Sequence, residues 1–547
     1  MTKRIFIGTA WPYVNGDLHP GHLAGYLIPA DIFSRYCRLK GYETLMVSGT
    51  DCHGTPITLE AEKRKIPPSV LVKKYHPKVL NLIKTFDISY DIFTSTTNQT
   101  HKKITQQFFL RLLKNGFILK KETLQYFSTQ ENRFLPDRYV EGDCLFCKSK
   151  DQRGDQCEVC GRSLNPGELI NPKSKLTGYP VILKNTEHYF LDYKKLQKEI
   201  YDFVVSSNHW RGWVYKESLG FLKEGLQERA ITRDLDWGIK LPKELIPSNF
   251  LIKNFEKKRF YVWFEAVIGY FSATLKWAKN NNKNWEDFWL DKSCRHYYFM
   301  GKDNLIFHTI FWPGQLIGQK ENYNLPYFPA VNHFLMFEGK KFSKSRGVFL
   351  DSLKIAKRFG ADNIRFYIAS ILPETKDADF RWEDFKQSVN NRLVDKVGNL
   401  IYRILVFYRN NFKEGIKKKS LDEIIVNKIE ETSLNFQNKL EKVEIVEALN
   451  IVLNYVDFIN QYLDKTQPWK LLNSDKEKCE QIIYSSLEAI SFLRVLLWPF
   501  LPHSVYRLNK MLGLSFKPQE NKDFFVFKKT DSFKIKSKIT PLYLKIT

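Results

Sequence analysis

The chain has 547 residues, 43% of them hydrophobic and 15% aromatic, and carries 85 Lys and Arg against 60 Asp and Glu for a net charge of +25. That length exceeds what one hydrophobic core holds and predicts about three to four domains; the aromatic content and the lack of any low-complexity tract exclude a fibrous or disordered chain. No uncharged run approaches the roughly 20 residues of a membrane span, and Met1-Thr2-Lys3-Arg4 leads into a strand-like stretch with no signal peptide, so a cytoplasmic protein with no membrane partner is expected.

In chain order, residues 3–10 read as a buried strand from the Ile5-Phe6-Ile7 run, and Pro12, Asn15 and Gly16 form a turn. Apolar residues then recur at helical spacing (Leu23, Leu27, Ile28, Ile32, Tyr36), Gly41 ends that helix, and residues 43–47 form the next strand. This β-loop-α-β order opens a doubly wound parallel sheet. Over residues 120–233 the texture changes to short strand-like pieces, turns and two cysteine pairs. The alternation resumes at residues 260–263, with a helix through Tyr270 and Trp277 and a strand over residues 296–300. After Phe385 only amphipathic helical patterns follow, over residues 389–408, 439–463 and 476–497.

The positive excess is spread along the chain. It suits a surface that meets a polyanion, and an AT-rich coding bias accounts for it equally well, so charge alone does not establish nucleic-acid binding.

Of the eight cysteines, Cys37, Cys52, Cys294 and Cys479 are scattered, which suits a reducing compartment better than a disulfide scaffold. The other four stand as Cys144-Leu145-Phe146-Cys147 and Cys157-Glu158-Val159-Cys160. Four thiolates at that spacing close a tetrahedral shell with no open position, so one structural Zn²⁺ is expected there.

Two short strings carry the chemistry. His19-Pro20-Gly21-His22 enters the first helix at the sheet's carboxyl edge, where a helix N-terminus attracts phosphate, Gly21 admits a nucleotide close to the backbone, and His19 and His22 donate to phosphate oxygens. Lys341-Phe342-Ser343-Lys344-Ser345 lies between Gly339 and Gly347, and its two lysines can close over a departing pyrophosphate. Taken singly, the first string reads as two histidines capping a helix and the second as solvated surface; their pairing points to a triphosphate. No GxxxxGK[ST] or GxGxxG string occurs, which leaves a P-loop kinase or a dinucleotide dehydrogenase without support.

The two strings resemble the HIGH and KMSKS signatures of class I aminoacyl-tRNA synthetases, ligases in which both motifs flank the ATP site of a split Rossmann domain. Within that class the resemblance runs nearly end to end to the methionine-specific family: Ala10-Trp11-Pro12-Tyr13-Val14-Asn15-Gly16, Asp51-Cys52-His53-Gly54-Thr55-Pro56, the four-cysteine knuckle, Trp263-Phe264-Glu265-Ala266-Val267-Ile268-Gly269-Tyr270, and Gly301-Lys302-Asp303 with Phe307-His308. The resemblance implies catalytic roles for His19, His22, Lys341 and Lys344, with ATP also bound through Gly21, Gly301 and Asp303. It implies that Ala10, Trp11, Tyr13, Trp263, Ala266, Val267, Tyr270 and His308 wall the L-methionine side chain while Asp51 pairs with its ammonium; Trp11 and Val267 stand where some relatives carry leucine and proline. It implies that Asn399, Arg403 and Trp469 read the anticodon of tRNA(Met), a task for which an indole, an amide and a guanidinium are suitable. Mg²⁺ with the ATP, and editing of homocysteine within the synthetic site, are family-based expectations.

The expected fold is therefore α/β: a split Rossmann-type doubly wound parallel sheet with an inserted zinc-knuckle domain and a C-terminal α-helical bundle. The boundaries read 1–118 and 234–332 for the two Rossmann halves, 119–233 for the insertion, 333–387 for a junction carrying the lysine loop, and 388–547 for the helical anticodon-binding domain. A monomer is expected, because the chain ends soon after the bundle. Open alternatives are a class I synthetase for leucine, isoleucine, valine or cysteine, a zinc-containing tRNA-binding protein without catalysis, and a small-molecule nucleotidyltransferase. The short insertion leaves little room for the editing domain that the first three synthetases generally carry.

Overall fold

The structure is a computed structural model that describes residues 3–547 apart from 155, 156, 158, 161, 163, 165, 343–346, 517, 519–521, 531, 536 and 537. Its centre is a five-stranded sheet of β1 (Arg4–Thr9), β2 (Glu43–Thr50), β3 (Ile92–Ser95), β4 (Arg295–Gly301) and β5 (Pro326–Asn332), all parallel, in the order β5-β4-β1-β2-β3. The chain winds to one side from β1 to β3, then crosses β1 to build β4 and β5. The topological switch therefore falls between β1 and β4, the place where such sheets open a ligand crevice. Ile5, Phe6 and Ile7 are buried on both faces, as a central parallel strand requires.

The helix expected after β1 forms, but its first turns are not uniform. An α-turn (Pro20–His22) passes into a π segment (Leu23–Leu27) and then an α-helix (Ile28–Leu39). A π segment leaves carbonyls poorly paired. Here Asn332, at the end of β5, donates its amide to the Ala24 and Gly25 carbonyls at 3.3 and 3.0 Å.

Between β3 and β4 lies the insertion. Its main sheet is antiparallel (Ile118–Ser128 against Ile182–Leu191, edged by Arg133–Phe134 and Arg229–Ala230), and a smaller sheet is centred on Val140–Cys144. Arg133 ties the insertion to the first Rossmann half through a two-pronged pair with Glu62 at 3.0 and 2.7 Å. The resumption of alternation at residues 260–263 takes a different form from the sequence reading. The strand is Lys258–Phe260, it pairs antiparallel with Thr232–Asp234 outside the main sheet, and the chain is already helical at Val262. A short apolar run does not reveal which sheet it joins, because partners lie far away in sequence.

The C-terminal region is helical, with Asn399–Asn411, Glu423–Glu441, Ile445–Thr466, Lys476–Leu497 and Pro502–Leu512 as its main helices. The helix read over residues 439–463 is in fact divided. Lys439 lies in the last turn of the preceding helix, which ends at Glu441, and Val443 sits in the left-handed region at φ 57° between the two. That conformation is costly for a β-branched residue. Its carbonyl is held by the half-buried Arg211, which also donates to the Val331 carbonyl and Asn332 Oδ1 on β5. One contiguous apolar core runs from the sheet into the bundle, and a second, smaller one lies beside the cysteine cluster.

Candidate active site

The carboxyl ends of β1, β2 and β4 deliver the residues that follow them to one edge. After β1 comes His19, the cap of the first helical turn, with Pro20 at its first position. His19 Nδ1 accepts the Gly21 N–H and His22 Nδ1 accepts the His19 N–H, each at 3.2 Å. The two rings lie 4.0 Å apart. The histidines do cap the helix, and this capping fixes their chemistry: with Nδ1 used as an acceptor, the proton of each neutral ring sits on Nε2, the donor a phosphate oxygen needs. A Cβ at position 21 would lie 2.8 Å from His19 Cε1, so only glycine admits this ring position.

Phe342 stacks on His19 at 4.4 Å and 16°, which brings the lysine loop to the histidines. Lys341 ends the strand Lys340–Lys341, paired with Leu335–Phe337, and its Nζ stands 4.3 Å over the Phe334 ring. Lys302 approaches the same ring at 4.4 Å. Lys341 is thereby next to the Gly301-Lys302-Asp303 segment, where Gly301 ends β4 and Asp303 is exposed. Lys344, with Ser343 and Ser345, lies outside the described residues.

The residues expected around methionine come from three elements. Asp51 follows β2, bridges to Tyr13, and is only 3% exposed. Its Oδ1 accepts the His53 N–H at 3.2 Å, and among the described residues no cationic side chain pairs with it. Burial, with the Glu265 carboxylate adding to it, pushes Asp51 well above the usual carboxylate range. A cation placed beside it would return it to its ionised form. Burial and the neighbouring Asp51 likewise push the Tyr13 phenol up, so it stays neutral.

Ala10 continues β1, its N–H on the Phe299 carbonyl at 2.9 Å. Trp11 fits between two glycines: a Cβ at Gly49 would overlap its ring, and one at Gly269 would lie 2.7 Å from Cζ2. The bulkier residue at position 11 is accommodated in this way. Trp263, Ala266, Val267 and Tyr270, spaced i, i+3, i+4 and i+7, lie on one helical run in which an α-turn (Val262–Glu265) passes through a 3-10 turn (Ala266–Ile268) into an α-helix (Gly269–Asn281). Trp263 stacks on Phe307 at 4.0 Å and 17°. The Tyr270 hydroxyl donates to His308 Nε2 at 2.8 Å while His308 Nδ1 donates to the Asn304 carbonyl at 3.0 Å. Burial pushes His308 down to about 4, so the ring is neutral near pH 7.

Three residues given no role by the sequence reading meet beside these side chains. Glu265, 0% exposed, accepts from His53 Nδ1 at 3.0 Å and from His101 Nε2 at 2.5 Å. Burial opposes its ionisation, but the two imidazoles outweigh burial and hold its carboxyl below the ordinary value. His53 and Glu265 sit inside the quoted motifs, which was the available signal. His101 lies on a different helix, Gln99–Lys114, and had none.

Cys144, Cys147, Cys157 and Cys160 bring their sulfurs within 4.8 Å of one another, and all are free thiols. The Cys160 N–H points at Cys157 Sγ at 3.4 Å, and the Cys147 and Cys157 sulfurs are 3.5 Å apart. Four sulfurs around one tetrahedral ion at 2.3 Å stand about 3.8 Å apart. The cluster fits a closed metal site.

In the bundle, Asn399 and Arg403 are exposed one helical turn apart. The Arg403 guanidinium lies 5.7 Å from the Trp469 ring and pairs with Asp464 at 3.2 Å, and Trp469 is 41% exposed. The three residues thus occupy one surface, far in sequence from the histidines. Among the described residues no helix is long and apolar enough to cross a membrane.

Comparison with known proteins matches residues 5–405 to the family described as tRNA synthetases class I (M), and residues 413–530 to the anticodon binding domain of methionyl tRNA ligase. The methionine–tRNA ligase of Roseiflexus castenholzii is 42% identical over 525 residues, covering 94% of this chain and 87% of the relative. That of Thermoplasma volcanium is 38% identical over 540 residues, covering 98% and 97%. The solved Mycobacterium tuberculosis methionyl-tRNA synthetase in complex with methionyl-adenylate shares the fold at a TM-score of 0.80, with 21% identity over 99% of this chain and 100% of that one. With identity at this level sustained across nearly the whole length, the chain belongs to the class I methionyl-tRNA synthetase family.

Proposed function

We propose that the chain activates L-methionine with ATP and transfers it to tRNA(Met), serving both initiation and elongation of translation. The observation that carries this reading is Asp51, a buried carboxylate with no cationic partner among the described residues, set beside Tyr13 at the sheet edge that also presents His19 and His22. It suits an α-ammonium. The surrounding Ala10, Trp11, Tyr13, Trp263, Ala266, Val267, Tyr270 and His308 suit a soft, unbranched thioether, with His308 neutral and already committed to Tyr270 and Asn304.

In the first step the methionine carboxylate attacks the α-phosphorus of ATP in line. The new O–P bond forms as the bond to the β-phosphate breaks, and pyrophosphate leaves. His19 and His22 donate through Nε2 to the developing charge, Gly21 gives the triphosphate access to the backbone, and Gly301 and Asp303 face the nucleoside. Lys341 and Lys344 neutralise the departing pyrophosphate, with Mg²⁺ accompanying the ATP. In the second step a hydroxyl of the terminal adenosine attacks the carbonyl carbon of the adenylate and releases AMP. No protein nucleophile takes part, so positioning and charge supply the rate.

Cys144, Cys147, Cys157 and Cys160 would hold one structural Zn²⁺ that organises the tip of the insertion. Asn399, Arg403 and Trp469 would receive the anticodon bases, with Trp469 as a stacking platform. Each site is built from a single chain, and a cytoplasmic monomer is the assembly we infer; a solution mass near twice 64.7 kDa would contradict it. The test of the main reading is pyrophosphate exchange into ATP with each of the twenty amino acids, beside Lys344→Ala. Exchange with methionine alone, lost in the variant, supports it; exchange with another amino acid overturns the pocket assignment.

A further inference from the structure

Glu265 has no part in the roles above, yet it is fully enclosed and both of its oxygens are taken, by His53 Nδ1 and His101 Nε2. Burying an ion with two imidazoles is an expensive way to fill space, and apolar side chains of similar volume do so at lower cost. The contacts beyond the two rings run to the pocket. His53 gives its backbone N–H to Asp51 Oδ1, and its ring packs against Trp237, whose Nε1–H donates to the Cys52 carbonyl at 2.6 Å. His101 Nδ1 lies 2.9 Å from Ser272 Oγ, which is 3.1 Å from the carbonyl of Gly269, the residue against which Trp11 rests. One carboxylate thus joins the segment after β2, the helix of Trp263 and Ala266, and the helix Gln99–Lys114.

We propose that Glu265 is a positioning residue for the substrate's α-ammonium: through His53 it sets the Asp51 carboxylate, and as a second buried carboxylate it makes the site prefer a cation over a neutral group of the same size. This rests on the reading of Asp51 as the ammonium site. In the free protein burial raises Asp51 and the nearby Glu265 carboxylate, reached through His53, adds to that rise by repulsion. An ammonium at Asp51 offsets both the burial of that charge and the repulsion from Glu265, whereas a hydroxyl in its place offsets neither. The network is therefore a device for rejecting α-hydroxy acids that carry the correct side chain.

The experiment compares binding of methionine with binding of its α-hydroxy analogue, 2-hydroxy-4-(methylthio)butanoate, by competition against labelled methionine in the full chain. Glu265→Gln keeps the shape and removes the charge. The preference for methionine over the hydroxy acid is expected to fall roughly 10- to 100-fold, the factor for one unit charge about 6–12 Å away, beyond the intervening His53, at an effective dielectric near 20. Affinity for the hydroxy acid and KM for ATP should stay as they were, and Glu265→Asp should recover most of the preference. If both ligands weaken equally in Glu265→Gln, the residue is only structural and the inference is overturned. Should that variant not fold, His53→Leu removes the ring that joins Glu265 to residue 53, while the backbone N–H on Asp51 and the Glu265–His101 pair remain. It is expected to lower the preference about 3- to 10-fold, the range of one hydrogen bond, and an unchanged ratio again overturns the inference. A wild-type chain without methionine-dependent exchange would refute the functional reading instead.

Discussion

Arg365→Met tests how the bundle is fixed to the nucleotide edge. The Arg365 guanidinium, 0% exposed, donates from Nε to the Phe500 carbonyl at 2.8 Å, from Nη1 to the Phe86 carbonyl at 2.9 Å, and from Nη2 to Asp31 and the Pro499 carbonyl at 2.7 and 2.8 Å. Asp31 belongs to the helical run that starts beside His19, and Pro499 and Phe500 join the last two bundle helices, so one side chain fastens both. In the variant Asp31 keeps Arg35 at 2.9 Å and its charge is not orphaned, but three buried carbonyls lose their donor. Each costs about 1 kcal/mol or more, and the total falls near 3–5 kcal/mol, the range for breaking a buried ion pair. That free energy holds the bundle in place, whereas adenylate chemistry needs only the sheet edge. Pyrophosphate exchange should stay within about threefold of wild type, under roughly 1 kcal/mol of barrier, while tRNA charging falls about tenfold or more. Urea unfolding, followed by a probe in the bundle, should lose about 3–5 kcal/mol. A loss below about 1 kcal/mol, or exchange falling in step with charging, would refute the reasoning.

Gly269→Ala places a methyl 2.7 Å from Trp11 and should raise KM for methionine about tenfold, the effect of an overpacked pocket wall, with KM for ATP unchanged; exchange kinetics at varied methionine check this. Burial pushes His188, His296 and His308 down to about 4 in the folded chain. Unfolding frees them to bind protons between about pH 6.5 and 4, so stability should fall with decreasing pH across that window, by at most about 4 kcal/mol per unit for three protons, and stay flat on their account above pH 7. Denaturant midpoints measured from pH 8 to 4.5 check the sign, which a rise toward acid would contradict. Trp469→Ala should weaken tRNA charging by about 1–3 kcal/mol, the range for one stacked base, and leave pyrophosphate exchange alone; equal loss in both assays would remove the anticodon role.

Local residue order determined a good deal. The strand ending before Ala10, the helix entered at His19, the two CxxC pairs and the helix Lys476–Leu497 are all legible because strand alternation, capping chemistry and ligand spacing are properties of neighbours in the chain. The placement of the strand at Lys258–Phe260 was not, because its pairing partner is set by packing at a distance. The break at Val443 was hidden too: nothing local favours a left-handed valine, and a half-buried arginine more than two hundred residues away stabilises it. The candidate site divides in the same way. His19, Gly21 and His22 became candidates from their own string and Asp51 from the resemblance of its segment, whereas the meeting of Glu265 with His53 and His101 exists only once three separate elements have packed. Only the tertiary structure decides where a buried charge finds its partners, because the cost of burial is met by groups that the chain brings together from far apart.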